Sequence, residues 1–158
     1  IPAIRTAGER LARCCGEPLS ADGEEVFRFP PPQQLCGLSG AQLMGCGLGY
    51  RTRYIQNAAA QASSGTLDLG ALAALPDDAL FSRLLELDGV GKKVANCVCL
   101  FGYGRTAMAP IDVWIQRLID EEFGGRDPFP SYGQQAGIVQ QYLFYYKRST
   151  RRSVAHKK

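Results

Sequence analysis

Three charged side chains stand out as candidates for chemistry: Lys92 and Lys93, which follow a Gly-Val-Gly turn, and Asp112, nineteen residues after Lys93. A deprotonated lysine is a nucleophile toward electrophilic carbon, and a carboxylate stabilises positive charge that develops nearby. Lys92 and Lys93 would lie about 100° apart on a helix, so only one of them can face a given pocket. Local sequence alone favours simpler roles, because Asp112 is also a good helix N-cap and a glycine turn is usually just a corner between helices.

The two lysines are predicted to lie at the start of a helix that follows another helix closely. Four leucines between residues 80 and 87 form the apolar side of the first helix, residues 89–91 break it, and a second helix is predicted over residues 92–102. A short glycine turn leaves backbone N–H groups bare at the start of the second helix. These donors, together with the helix dipole, suit a phosphate group.

The rest of the chain is predicted to be helical too, so the expected fold class is all-α, a bundle of short helices. Apolar residues recur every three to four positions from Ile4 to Cys14, which indicates an opening amphipathic helix. No convincing strand pattern is present, and residues 16–32 are expected to form a loop with a turn at Asp22-Gly23. Further helices are predicted after the prolines at 30–32, after Ser39, over residues 50–62 and 69–75, after Asp112, and over residues 134–147.

Composition and charge are those of an ordinary globular protein, with 46% hydrophobic and 21% charged residues. No stretch approaches the roughly 18 apolar residues of a membrane span. The net charge of +3 is a weak signal, because six of the 18 basic residues lie in residues 147–158, which contain no acid. Such a basic tail is either a DNA-contacting arm or, more often, a disordered and solvated end. The single histidine, His156, lies in this tail, which argues against histidine catalysis.

The six cysteines show no spacing typical of a zinc site, a regular disulfide framework or a four-cysteine iron–sulfur cluster. They are expected to be buried, reduced thiols of an intracellular protein. No redox cofactor and no iron–sulfur cluster is therefore expected.

Four separated motifs together resemble one family: GLGYRTRY at residues 47–54, LDGVGKKVANC at 87–97, APIDV at 109–113 and QQYLF at 140–144. The chain resembles the helix-hairpin-helix DNA glycosylases, and most of all the helical C-terminal region of 8-oxoguanine DNA glycosylase/AP lyases. The resemblance covers residues 1–147, with the hairpin motif at about 77–102, and leaves 148–158 as a basic tail. The N-terminal β-rich domain of the family is expected to be absent from this chain.

The resemblance implies a base-excision-repair enzyme that binds duplex DNA and turns the damaged nucleotide out of the helix. Lys93 rather than Lys92 would attack the sugar C1′, expel 8-oxoguanine and form a Schiff base, from which β-elimination cuts the strand. Asp112 would stabilise the oxocarbenium character at C1′ and help to move protons.

The resemblance also implies three residues that contact the extruded base. Cys97 and Phe144 would lie against its two faces, and the amide of Gln140 would hydrogen-bond its Watson–Crick edge. Cys97 follows Lys93 by four residues, which places both on one helix face. The simpler alternatives are core packing for Cys97 and Phe144, and a surface position for Gln140.

Other matched positions are implied to contact DNA or a cation. Tyr50 would fill the gap left by the extruded nucleotide and Arg51 would contact the orphaned base, whereas the simpler reading is a half-buried tyrosine and an exposed arginine at a helix start. Backbone N–H groups that would hold a phosphate belong to Gly89, Gly91 and Val94. Backbone carbonyls that would hold a monovalent cation belong to Leu85, Leu87 and Val90.

Two residues depart from the family pattern. Trp114 stands where many members carry a histidine, and Lys147 stands where an acid is common.

A monomeric, intracellular protein that acts with DNA is expected. The alternatives are a glycosylase for another oxidised base, such as a pyrimidine, and a helix-hairpin-helix module that binds DNA without catalysis.

Overall fold

The computed structural model describes residues 2–155, and the side chains of these residues except at positions 21 and 150–155. The described chain divides into two compact units, one that ends at Leu72 and one that begins at Ala73. Helices account for most of both units, so the all-α prediction is confirmed. A short helix, α5 (Leu69–Ala73), lies at the division in the sequence.

The first unit contains α1 (Pro2–Cys15), α2 (Pro32–Cys36), α3 (Gly40–Gly45) and α4 (Thr52–Ser64), with a 3₁₀ turn at Gly49–Arg51. Each helix contributes to one core of buried residues: Leu11, Leu35, Leu43, Cys46, Leu48 and Ala59. The predicted N-cap at Ser39 is confirmed. Its hydroxyl accepts the N–H of Gln42, and the Gln42 side chain accepts the N–H of Ser39 at 2.9 Å, which forms a capping box. The core and caps thus follow from the apolar spacing and the cap residues of the sequence.

The first unit also contains a β-hairpin that is not predicted from the sequence. Strand β1 (Pro18–Ala21) pairs antiparallel with β2 (Glu24–Phe27). Asp22 and Gly23 both have positive φ, 50° and 80°, as in the type I′ turn whose twist suits a two-residue hairpin. The predicted turn at Asp22-Gly23 is right, but the loop predicted around it is wrong over the two strands. Each strand has only four residues, too few for an alternating pattern to be evident.

The second unit contains α6 (Asp77–Leu85), α7 (Lys92–Cys97), α8 (Val113–Glu122) and α9 (Ala136–Ala155), with a 3₁₀ segment at Phe129–Gln135. A π-helical segment, Val98–Gly102, continues α7 directly. The core cluster of α8 and α9 consists of the buried residues Ile115, Ile119, Phe129 and Ala136, with Ala109, Ile111, Leu143 and Phe144 packed against it.

Helix α9 extends beyond its predicted end at Lys147 and reaches Ala155. The backbone of residues 148–155, the first part of the basic tail, is therefore helical in this structure rather than irregular. The last three residues of the tail, His156 among them, lie outside the described residues.

The start of α9 makes a close approach that requires glycine. The N–H of Gly137 donates to the carbonyl of Thr106 at 2.8 Å. A Cβ placed on Gly137 would lie 2.5 Å from the carbonyl oxygen of Met108 and 2.8 Å from Cδ1 of Leu100. Because two of its neighbours are backbone oxygens, the added carbon could be accommodated only by moving the chain between α7 and α8.

We expect Gly137→Ala to lower the free energy of unfolding by about 1–3 kcal/mol, the usual cost of overpacking, although alanine is the better helix former. The matched control is Gly8→Ala in α1, where a Cβ would have no neighbour within 4 Å. That change should stabilise the chain by roughly 0.5–1 kcal/mol. Urea unfolding of both variants is the measurement, and a stabilised Gly137→Ala would show that α9 is not seated as described.

Candidate active site

The turn between α6 and α7 includes a backbone conformation that favours glycine. Gly89 adopts φ 80°, a conformation that favours glycine, and the N–H of Val90 donates to the carbonyl of Leu87 at 3.0 Å. Gly91 is the N-cap of α7 in an extended conformation, and no side chain caps this helix. The helical hydrogen bonds begin only with the N–H of Ala95, which donates to Gly91 at 2.9 Å. The first-turn N–H groups of α7 are therefore free of helical partners.

This bare helix start is compatible with the phosphate contacts predicted for Gly89, Gly91 and Val94, which stay predictions. Val94 is 41% exposed, so its surroundings are open to a ligand. The carbonyls of Leu85, Leu87 and Val90 form an all-oxygen donor set, the type that hard cations prefer. The Leu87 carbonyl already accepts one hydrogen bond and keeps a second lone pair. A monovalent cation would therefore fit these donors.

Lys92 and Lys93 occupy the first two positions of α7, and both side chains are exposed. Cys97 ends the same helix one turn after Lys93 and is partly buried. The structure thus keeps Lys93 and Cys97 on one helix face, as their spacing predicts. Lys93 is exposed to solvent, so exclusion of water from its amine would have to come from bound DNA.

The helix predicted over residues 92–102 changes its winding after Cys97. Residues from Val98 onward form a π-helical turn, a local widening that often occurs at functional sites. Phe101, four residues after Cys97, is 64% exposed there. Phe101 is not among the residues predicted from the sequence to contact a base. An aromatic residue one turn beyond Cys97 is the signal that would have identified it as a further candidate for contact with a base.

Asp112 is the N-cap of α8, as predicted. Its Oδ1 accepts the N–H of Trp114 at 2.9 Å and that of Ile115 at 3.0 Å. Among the described residues the hydrogen bonds of this carboxylate involve Oδ1 alone, which leaves Oδ2 available to a substrate. The capping role and the electrostatic role are therefore compatible, since the cap holds the carboxylate in one orientation.

The two base-contacting candidates on α9 differ in their surroundings. Gln140 is 2% exposed, so the alternative of a surface residue is wrong. Its Oε1 accepts a hydrogen bond from the side-chain amide of Gln141. Phe144 packs against the core cluster of α8 and α9, which agrees with the alternative of core packing. The guanidinium of Arg148 lies 5.4 Å from the ring centre of Phe144. A buried polar side chain such as Gln140 is a better candidate for recognition than an exposed one.

The two departures from the family pattern have defined partners. Trp114 lies beneath the guanidinium of Arg117, at 5.6 Å from the ring centre. Lys147 Nζ is 2.5 Å from Glu121 Oε2 and 3.4 Å from Glu122 Oε1. The hydrogen bond that Lys147 donates to Glu121, aided by the charges of both carboxylates, raises the pKa of Lys147 above its ordinary value, although partial burial opposes this.

Arg105, near the start of α6, has a structural role that its sequence context does not predict. Arg105 donates through Nη2 to the carbonyls of Ala73 and Leu75, at 2.7 and 3.1 Å, and its Nε lies 3.5 Å from Asp77 Oδ1. These contacts fix the start of α6 to the turn that follows the π-helical segment. The pKa of Cys99, buried in the same region, is raised by that burial and by the charge of Asp77.

The candidates in the first unit form a row of arginines and aromatic rings where α4 begins. Tyr50 is 69% exposed rather than half-buried, and Arg51 lies 4.5 Å from its ring centre. The edge of one ring meets the face of the other between Tyr50 and Tyr54, with centres 6.2 Å apart, and Arg53 lies 4.8 Å from the Tyr54 ring centre. An exposed aromatic ring beside an arginine suits a wedge into stacked bases.

All six cysteines are free thiols. Cys46 and Cys99 are buried and Cys15 and Cys97 are partly buried, but Cys14 and Cys36 are exposed. The expectation of buried thiols is wrong for the last two.

No helix among the described residues is long and apolar enough to cross a membrane.

Comparison with known proteins gives sequence and structural relatives, although no family model matches the chain. A probable N-glycosylase/DNA lyase of Methanothermobacter thermautotrophicus is 30% identical over 168 aligned positions, which cover 89% of this chain and 54% of that protein. The structure of MBOgg1 in complex with a low-affinity DNA ligand matches 94% of this chain and 55% of its own, with a TM-score of 0.87 and 33% identity.

A second solved structure, the 8-oxoguanine glycosylase/lyase of Clostridium acetobutylicum in complex with double-stranded DNA containing cytosine opposite 8-oxoguanine, has a TM-score of 0.87 and 26% identity. It matches 95% of this chain and 55% of that one. This chain therefore spans about half the length of the relatives it matches.

The fold is that of the helix-hairpin-helix DNA glycosylases. Within this class the chain is similar in sequence and in structure to 8-oxoguanine glycosylase/lyases, which confirms the resemblance drawn from its four motifs. The roles of individual residues, Lys93 and Asp112 included, stay predictions.

Proposed function

We propose that this chain is the helical region of a base-excision-repair DNA glycosylase with AP lyase activity, which removes 8-oxoguanine from duplex DNA. The observation that carries the proposal is the match to the Clostridium acetobutylicum enzyme, solved with duplex DNA, over 95% of this chain. The exposed Lys93 at a bare helix start and the fixed carboxylate of Asp112, the N-cap of α8, support it.

In the proposed reaction the neutral amine of Lys93 forms a bond to C1′ while the bond between C1′ and the base nitrogen breaks. The base leaves with the electron pair and takes up a proton. The carboxylate of Asp112 stabilises the positive charge that develops at C1′ and accepts the proton that the attacking amine loses. Opening of the sugar ring then gives a Schiff base between Lys93 and C1′.

The lyase step follows from the Schiff base. The imine makes the C2′ proton acidic, and its loss expels the 3′ phosphate by β-elimination, which cuts the strand. Water then hydrolyses the imine and regenerates Lys93. Every step uses groups of this chain, the DNA and water, so no redox cofactor is required.

Recognition is assigned to the α7 and α9 residues. Cys97 and Phe144 would contact the faces of the extruded base, and the amide of Gln140 would donate to and accept from its Watson–Crick edge. Tyr50 would occupy the gap in the stack and Arg51 would hydrogen-bond the orphaned base. The N–H groups of Gly89, Gly91 and Val94 would hold a phosphate of the DNA backbone. A monovalent cation on the carbonyls of Leu85, Leu87 and Val90 would add positive charge near the bound DNA backbone.

A panel of labelled duplexes tests the proposal. The substrates are 8-oxoguanine opposite cytosine, guanine opposite cytosine, an oxidised pyrimidine opposite its partner, and a preformed abasic site. Alkali after incubation reveals base release, and cleavage without alkali reveals lyase activity. We expect release of 8-oxoguanine and cleavage of the abasic duplex, with no release of guanine.

The other outcomes distinguish the alternatives. Preferred release of the oxidised pyrimidine would assign the chain to another substrate. Binding of all duplexes without base release or cleavage would leave a DNA-binding module and would overturn the catalytic proposal for this chain.

A further inference from the structure

Helices α8 and α9 are joined by an ion cluster at the end of α8. Lys147 of α9 reaches the adjacent carboxylates of Glu121 and Glu122, and its side chain is only 16% exposed. By the resemblance drawn from the sequence, the cation stands where many members of the family carry an acid.

The position of the two glutamates explains why a cation is needed. Glu122 is the last residue of α8 and Glu121 precedes it, so both carboxylates lie near the negative end of the helix dipole and repel each other. The ammonium of Lys147 offsets both effects. Without it both carboxylates would lose their ion pairs to α9.

The same cluster lies on the two helices that carry the candidate site. Asp112 begins α8, whereas Gln140 and Phe144 lie on α9. Phe144 packs against the hydrophobic core that includes Ile115 and Ile119 of α8. Lys147 follows Phe144 by three residues, so its ion pairs anchor the helical turn directly after the ring.

We propose that Lys147 is a positioning residue for base recognition, which holds Gln140 and Phe144 against α8 in the arrangement that accepts the extruded base. This inference rests on the proposed glycosylase function. Base release and abasic-site cleavage should respond differently to loss of Lys147, because an abasic site has no base to be held. Loss of the anchor therefore impairs release of 8-oxoguanine but leaves cleavage of a preformed abasic site intact.

The test compares wild type with Lys147→Met and Lys147→Arg under single-turnover conditions on 8-oxoguanine and abasic duplexes. We expect Lys147→Met to slow base release by about tenfold to hundredfold, the effect of a small misplacement, and to leave abasic-site cleavage close to the wild-type rate. Lys147→Arg keeps the charge and should retain most base release. Combining Lys147→Glu with Glu121→Lys restores an opposite-charge pair and should recover part of the loss.

The control is Arg5→Met, which removes an ion pair to Glu9 that is exposed and confined to α1. It should change neither activity. Should Lys147→Met fold too poorly to assay, Glu121→Gln and Glu122→Gln each remove one carboxylate and give the same comparison.

Equal losses of both activities in Lys147→Met would overturn the inference, since they indicate general destabilisation. No loss in either activity would also overturn it, since the ion pair would then have no effect on base recognition. A wild-type chain inactive on both duplexes would instead overturn the proposed function, and the inference with it.

Discussion

Replacing Lys93 with glutamine should abolish the covalent adduct that borohydride traps between this chain and a duplex with 8-oxoguanine opposite cytosine. Glutamine has no basic amine, so neither attack on C1′ nor a Schiff base can occur. Base release and strand cleavage should both fall by roughly 10³-fold or more, as for the loss of other covalent nucleophiles. The adduct is measured as a shifted band on a denaturing gel after reduction.

The matched control is Lys92→Gln, one position earlier in the same exposed helical turn. It removes an identical charge from the same helix start, so it corrects for weaker attraction to DNA. We expect the adduct to persist in Lys92→Gln. An adduct that survived in Lys93→Gln and vanished in Lys92→Gln would exchange the roles of the two lysines. If wild type gave none, even on a preformed abasic site, the catalytic proposal would be withdrawn.

Substituting Asp112 should separate its capping role from its charge. Asparagine caps helices about as well as aspartate, so Asp112→Asn should keep the bonds to the N–H groups of Trp114 and Ile115 and cost little stability. Base release should nevertheless slow by about 10²–10³-fold, because the carboxylate charge no longer opposes the positive charge at C1′.

Asp112→Ala removes both functions. It should lower the free energy of unfolding by about 1 kcal/mol, the usual value of an N-cap, and slow base release at least as much as Asp112→Asn does. Urea unfolding and single-turnover base release on both variants make the comparison. A fully active Asp112→Asn would reduce Asp112 to a cap.

Local features of the fold could be predicted because short stretches determine them. The cap at Ser39, the N-cap at Asp112 and the glycine turn before α7 each depend on residues within one helical turn, and all three occur as predicted. The hairpin around Asp22-Gly23 and the π-helical winding after Cys97 are not predicted. Both depend on small adjustments that a periodic apolar pattern does not reveal.

The candidate site could be predicted from the sequence only as an ordered set of motifs. Residue types and spacing indicated an amine and a carboxylate and placed Lys93 and Cys97 on one helix face, whereas the base-contacting side chains were implied by the family resemblance. They did not indicate that Gln140 is buried, that Phe101 is exposed or that Lys147 has two carboxylate partners. Each of these facts depends on residues far away in the chain.

The sequence by itself determined the all-α class, the positions of the main helix starts and the resemblance to 8-oxoguanine glycosylases, since these depend on local preference and on motif order. Only the tertiary structure decided how α9 is seated. The pairing of Lys147 with Glu121 joins residues that are 26 positions apart in the chain. The close approach of Gly137 to Leu100 joins parts of the chain that are still farther apart in sequence. Such contacts form only when the chain packs, because steric fit and charge neutralisation act between atoms that are neighbours in space and not in sequence.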